Sequence, residues 1–516
     1  MRWMATLMLA ATAGAASTAA QAGPTPSEAG LIAALEADIP QILRLIGTPG
    51  LNLAIARRGD AIWETGFGFA DLERKLPMTA ATLTHSGSMG KTYTAIAVMQ
   101  LVEQGLLGLD EPVNRYLPGW KIVNPLGGRE VTVRDLLTHR SGLAGNGAWS
   151  VLSAPKPLAE HIPEAYARER NDLYGGAASA TWTAKPGETY QYSNLGVATL
   201  GYLVQVSNPE HLSFSDYVQR HLIDPLGMTS TQFPAVQDQA HIRPDLWSRL
   251  SRGYAGIGPL RIPTPPIYFE DHPAGTVVTT PGDHIRVLLA MQHEGRYRDH
   301  QLLQPATVRQ MLTPQFETAP GAAVGLIWNL QNWAGPNRSF SHGGAHMWGW
   351  TNWYVDFPEY DLAIAVFMNQ WSLPDDGQGA RYLEARLIID FVRSWVERDR
   401  AGTAFVPPAR SWAWKVSYVQ GLMMVENTNA VLGITERIPP ATLETMLRGA
   451  APGPSKGVEV WDPQGFRAGV RDLSAAELTP AGIAEFFKSG KLQVLPEELP
   501  LLYRELGGRG SLPTPE

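Results

Sequence analysis

The sequence predicts an α+β fold in which a sheet assembled from distant stretches of chain carries a helical lobe, with a small C-terminal unit appended. Two observations carry this. Strand-like runs lie near both ends of the first ~400 residues, with mostly helical periodicity between them. A composition break then falls at Gly402 to Pro408, and a Gly/Pro-rich stretch follows at Gly449 to Lys456. No internal repeat or low-complexity tract interrupts the 516 residues. The expected organisation is residues 1–22 as a signal peptide, 23–400 as one main unit, and 401–516 as an accessory unit of unknown role.

The N-terminus has the signature of a secretory signal. Arg2 is its only charge before Glu28, Met4 to Ala16 is apolar or small, and Ala20-Gln21-Ala22 offers a small-x-small cleavage site near Ala22/Gly23. The apolar run is short for a membrane span, so the mature protein is expected to be soluble and periplasmic or secreted. Ser27 to Ile46 places Leu31, Leu35, Ile39, Ile42, Leu43 and Ile46 at helical spacing. Leu51 to Ile55 and Ala61 to Phe69 read as strands joined at Arg57-Arg58-Gly59-Asp60. Helices are expected over Ser88 to Leu106, Val131 to Thr138, Leu195 to Gln205 and Tyr382 to Arg400. Strands are expected over Val324 to Asn329, Arg338 to His342, Trp350 to Asp356 and Leu362 to Met368.

Composition excludes several chemistries. With no cysteine, the chain has no disulfide scaffold, thiolate nucleophile or cysteine-ligated metal centre. A formal charge of -7 gives no overall positive field for nucleic acid. What remains is hydroxyl, amine and imidazole chemistry at three places. Ser88-Met89-Gly90-Lys91 enters the first long helix, so Ser88 and Lys91 share one face of its first turn. A serine hydroxyl needs a base to become a nucleophile, and a lysine depressed by burial and a second cation supplies one. The plain alternative is a capping serine and a surface lysine. Ser153-Ala154-Pro155-Lys156 repeats the spacing, but Pro155 argues against a helix interior there.

The second place is Tyr192-Ser193-Asn194 after the Pro186-Gly187 turn; among 16 tyrosines only Tyr192 has Asn two positions on. A tyrosine near a cationic lysine relays protons, and Asn194 offers both a carbonyl and an amide N–H2 to a lysine and a substrate. A buried structural tyrosine is the alternative. The third place is His342-Gly343-Gly344-Ala345, where glycines allow close backbone approach and the N–H groups of Ala345 and Ser88 pair as an oxyanion hole. A hairpin turn with an exposed histidine is the alternative. Trp328, Trp333, Trp348, Trp350 and Trp353 crowd this third place, as an aromatic substrate wall or as sheet core.

In order and spacing, Ser88-x-x-Lys91, Tyr192-x-Asn194 and His342-x-Gly344 resemble the serine β-lactamase/penicillin-binding-protein superfamily. The resemblance is to its class C β-lactamase-like branch of D,D-peptidases, D-aminopeptidases and type VIII esterases. Leu136-Leu137-Thr138-His139-Arg140-Ser141-Gly142-Leu143 and Pro273 to Asp283 extend it, and matching pieces run from about Gly50 to about Ser394. The resemblance implies a central antiparallel sheet flanked by helices plus an all-helical lobe. It implies Ser88 as nucleophile, Lys91 and Tyr192 sharing base and relay work, Asn194, His342, Gly344 and Ala345 binding substrate or oxyanion, and an acyl-enzyme. No metal or organic cofactor is implied. Lactamases usually carry Lys-Thr-Gly at the third motif; His342 replaces that permanent cation with a group expected to titrate near neutrality.

The expected activity is hydrolysis of amide bonds in small linear or D-residue-containing peptides, with a carboxylesterase close behind and a β-lactamase or a non-hydrolytic penicillin-binding sensor as further readings. The expected partner is a small-molecule or short-peptide substrate, not nucleic acid. An α/β-hydrolase is set aside because Ser86 replaces the first glycine of Gly-x-Ser-x-Gly and the His-Gly-Gly element follows the serine. A metalloprotease reading from His342 and His346 lacks the accompanying glutamate.

Overall fold

The computed structural model describes residues 25–144, 149–150, 153–167, 181–257, 260–265, 267–346, 349–373, 382–403, 412–432 and 462–475, with single positions at 479, 482 and 486. The expected signal peptide lies outside the described residues, as do the Gly449 to Lys456 stretch and Trp348. Among the described residues no helix is long and apolar enough to cross a membrane.

Helix α1 (Pro26–Ile46) starts at a capping box, in which the Thr25 hydroxyl accepts the Glu28 N–H and the Glu28 carboxylate accepts the Thr25 N–H. It ends at Gly47, whose φ of 76° favours glycine. Strands β1 (Gly50–Arg57) and β2 (Asp60–Asp71) form a hairpin closed by Arg57 opposite Asp60. Its two turn residues, Arg58 and Gly59, have φ of 56° and 76°. Two positive φ values in a two-residue loop match the turn whose twist suits a right-handed hairpin.

The sheet is completed by β3 (Leu76–Pro77), β4 (Phe316–Ala319), β5 (Ala322–Val324), β6 (Asn329–Gln331), β7 (Ser339–His346), β8 (Trp350–Phe357) and β9 (Leu362–Met368). Its order is β4-β5-β6-β7-β8-β9-β1-β2-β3, antiparallel throughout. The N-terminal hairpin therefore docks on a strand about 300 residues away, with Leu53 opposite Val366 and Ile55 opposite Ile364. The expected sheet of distant pieces is the one observed.

Strand alternation divides the core in two. Leu51, Leu53, Ile55, Leu362, Ile364, Val366 and Met368 face one cluster, while Ala54, Ala56, Ala363, Ala365 and Phe367 face the other. The small alanines let α5 (Pro281–Gln292) pack close to that second face. The same cluster continues into the helical lobe through α2 (Gly90–Glu103), α3 (Val133–Leu137) and α4 (Asn194–Ser207). Nearly all of α2 is buried, which explains why its apolar pattern runs all round.

The other cluster holds α1, α6 (Leu383–Arg400), α7 (Trp412–Leu432) and α8 (Pro463–Ser474). The described part of the C-terminal segment, α7 and α8, thus shares its core with α1 and the outer sheet face. Val324 to Asn329 is not one strand. Gly325 to Trp328 forms a turn between β5 and β6, with the Gly325 N–H donating to the Trp328 carbonyl at 2.8 Å. The Ile327 N–H reaches across to the Leu137 carbonyl at 2.8 Å, and Trp328 plugs the core. A short apolar run does not by itself distinguish a strand from such a buried turn.

Candidate active site

A single tight turn, Gly87–Met89, leads into α2 and sets Ser88 and Lys91 on one side of it. Lys91 Nζ stands 3.0 Å from Ser88 Oγ and donates to the Ala274 carbonyl at 2.7 Å. Ser88 is half-buried, whereas Lys91 has no exposure at all. Burial lowers the lysine pKa from its ordinary 10.5 to about 7, with the charge of Asp271 opposing. Near neutrality the amine is therefore partly unprotonated, and only in that form does it have a lone pair free to take up a proton. Burial alone supplies the shift; the expected second cation is not needed.

The Tyr192 ring lies beside the amine, its centroid 5.0 Å from Nζ. His139 packs on that ring at 4.5 Å, and its Nδ1 accepts the Ser193 N–H at 3.2 Å. Its φ of 54° is uncommon for a residue with a side chain. The backbone of the Tyr192 segment is tied to the same loop, since the Gln191 N–H donates to the His139 carbonyl at 2.7 Å. Asn194 is buried and opens α4, whose N-cap Ser193 accepts the Gly196 N–H.

Strand β7 forms the opposite wall. Strand β6 pairs with its residues Ser339 to Ser341, and β8 pairs along Phe340 to His346. The Ser86 to Met89 backbone lies against this part of β7. A Cβ at Gly344 would overlap the Ser86 carbonyl and lie 3.1 Å from the Met89 nitrogen. At Gly87, where φ is 59°, a Cβ would sit 2.6 Å from the Ala345 backbone. Glycine at both positions lets Ala345 lie next to the residue preceding Ser88. Gly344→Ala is therefore expected to cost about 2–3 kcal/mol of stability, seen as a lower Tm, and to lower kcat by displacing Ala345.

His342 corrects one expectation. It is buried, and burial followed by the charge of Lys91 brings its pKa down to about 4. It does not titrate near neutrality. Its Nδ1 donates to the Gly343 carbonyl at 2.6 Å, so the neutral ring keeps Nε2 as an acceptor. His342→Ala is accordingly expected to change KM for a carboxylate-bearing substrate by a factor that stays constant between pH 6 and pH 9. Parallel KM titrations of wild type and variant check this.

Trp328 and Trp350 belong to the core. Trp328 sits edge-on to Phe340 at 5.3 Å and to Tyr354 at 5.9 Å, and the Trp350 indole donates to Ser251 Oγ at 2.9 Å. Trp333 packs against the same core, and Trp353 meets Tyr382 at 5.0 Å. The Ala274 carbonyl and His139 had no assigned role in the sequence, where both appear only inside motif-flanking segments. Their contribution depends on a backbone atom and on packing, which residue type does not reveal.

The family model described as Beta-lactamase matches residues 35–387. Protein flp of Staphylococcus aureus (strain NCTC 8325 / PS 47) is 27% identical over 187 residues, which cover 36% of this chain and 35% of that protein. The chain thus spans about a third of the length of the curated relatives it matches. In structure it is similar to D-amino acid amidase from Ochrobactrum anthropi SV3, with a TM-score of 0.56 at 22% identity over 72% of this chain and 99% of that one. It is also similar to EstCE1, a hydrolase with promiscuous acyltransferase activity, at 0.54 and 21% over 70% and 98%. The structural likenesses carry the fold, and the family match runs from before Ser88 to past Ala345: the chain belongs to the Beta-lactamase family.

Proposed function

We propose that the protein is an exported hydrolase that cleaves an amide bond of small linear or D-residue-containing peptides through an acyl-enzyme on Ser88. The observation that carries this is the 3.0 Å approach of a fully buried lysine, with a pKa of about 7, to the hydroxyl of a half-buried serine. Ser88 Oγ attacks the substrate carbonyl as its proton passes to neutral Lys91 Nζ, with the Tyr192 hydroxyl sharing the relay. The N–H groups of Ser88 and Ala345 hold the oxyanion, and Asn194 and His342 bind the substrate. The amine leaves with the proton returned through Lys91 and Tyr192. Water, deprotonated by the same groups, then releases the acid and restores Ser88. Residues 23–400 supply this machinery, and residues 401–516 are an accessory segment. The D-amino acid amidase likeness accords with a D-residue substrate, though at 22% identity it speaks first to the fold.

A carboxylesterase is the second reading, and one observation favours it. His342 is neutral above about pH 4 and so offers no fixed cation for a substrate carboxylate. That also counts against an efficient β-lactamase. A panel of D- and L-aminoacyl anilides, linear peptides, p-nitrophenyl esters and nitrocefin separates the readings. Higher kcat/KM on D-aminoacyl amides supports the peptidase; turnover of esters alone overturns it in favour of the esterase. Acylation by labelled penicillin with no turnover of any substrate identifies the sensor. N-terminal sequencing of exported protein checks cleavage near Ala22.

A further inference from the structure

A cluster of buried charge lies behind Lys91. His161, on the helix Leu158–Ala167 of the helical lobe, donates from Nε2 to Asp271 at 2.8 Å and from Nδ1 to Glu270 at 3.0 Å. Both ring nitrogens face carboxylates, an arrangement that only the imidazolium satisfies. The side chains of His161 and Asp271 are 1% and 0% exposed. Burial opposes the imidazolium charge, but the hydrogen bonds to Asp271 and Glu270 outweigh it and raise the pKa to about 9. Asp271 in turn begins the turn that reaches Lys91. Its carbonyl accepts the Ala274 N–H at 2.8 Å, and the Ala274 carbonyl accepts from Lys91 at 2.7 Å. The Thr94 hydroxyl fastens the same turn to α2 through the Pro273 carbonyl at 2.6 Å.

We propose that His161 is a positioning residue for Lys91: its imidazolium neutralises Asp271 and clips the 270–274 turn, so the Ala274 carbonyl meets the lysine without a bare buried anion drawing a proton onto it. This rests on the reading of Lys91 as proton acceptor. Asp271 is close enough for its charge to raise the lysine pKa against burial. An uncompensated carboxylate in a low-dielectric site would act more strongly. The other groups facing Lys91 are Ser88, Tyr192, His139 and His342. Burial and then the charge of Lys91 hold both imidazoles neutral. The groups around His161 are Glu270, Asp271, His272 and Tyr166. Burial, then the charge of His161, brings His272 down to about 3. Burial raises the Tyr166 phenol, and Asp271 adds to that. Of these described groups His161 is held positive at neutral pH, where Lys91 is only partly charged.

The test uses the full chain labelled with 13C-lysine, with the Lys91 signal identified by its loss in Lys91→Arg. His161→Gln is expected to raise the Lys91 titration midpoint by about one pH unit, and Asp271→Asn to lower it by a similar amount. The acid limb of kcat/KM for an uncharged ester moves with each, so His161→Gln loses roughly 5–10-fold activity at pH 7 and recovers it at higher pH. A merely structural role lowers activity at every pH alike. Midpoints that stay in place, or move in the opposite sense, overturn the proposal. Should His161→Gln fail to fold, the same midpoint is read in His161→Asn: a rise supports the clip, and no change overturns it. Midpoints that shift as expected while the acid limb stays put uphold the clip and remove Lys91 as the proton acceptor.

Discussion

Replacing Ser88 by alanine abolishes turnover of amide and ester substrates alike, by on the order of 10^5-fold or more in kcat, because no other group can form the acyl-enzyme. The loss falls on kcat and leaves the fold intact. Ser88 is half-buried, and its hydroxyl meets Lys91, which keeps its second bond to the Ala274 carbonyl. Thermal unfolding should therefore differ little between Ser88→Ala and wild type. Covalent labelling by a fluorophosphonate, read as a mass shift on the intact protein, should disappear in the variant. Retained labelling or turnover would remove Ser88 as the nucleophile and the proposed function with it.

Lys91→Arg gives the second large loss, about 10^2–10^4-fold, with the positive charge preserved. Arginine stays protonated at every working pH, so it cannot take the serine proton. In wild type, log kcat/KM should rise with unit slope below about pH 7 and level off above it, because the neutral amine is the active form. That limb should be missing from the arginine variant. Stability moves the other way. The unfolded lysine holds its proton up to an ordinary pKa of 10.5, while the folded one releases it near 7. Between those values the unfolded state binds more protons, so the folded state loses stability as pH falls from 10.5 through 7. Lys91→Met removes that penalty, at most about 5 kcal/mol and less once its two lost hydrogen bonds are counted. Lys91→Met should thus be inactive and yet melt at or above the wild-type temperature at pH 7. A lower Tm would mean that the lysine is held in place for stability and not for its neutral form.

Much of the fold was legible in residue patterns because its elements obey local rules. Period-two alternation in Leu51 to Ile55 and Leu362 to Met368 comes from a sheet buried on both faces, and the heptad-like recurrence from Leu31 to Ile46 comes from one helix face on that sheet. The Gly325 to Trp328 turn was not legible, because its apolar residues answer to a core plug and not to a period. The order Ser88, Lys91, Tyr192, Asn194, His342 was legible as motif spacing. Which atoms of these residues meet was not.

The sequence by itself determined the chemical alphabet: a hydroxyl and an amine one helical turn apart, and no thiol. These follow from covalent spacing and side-chain chemistry, which hold in any fold. Only the tertiary structure decided the protonation states. Lys91 near 7, His342 near 4 and His161 near 9 are a lysine and two histidines moved in different senses. A pKa depends on how much water is excluded and which charges remain within a few ångströms, and both are set by distant segments of the chain closing on one another.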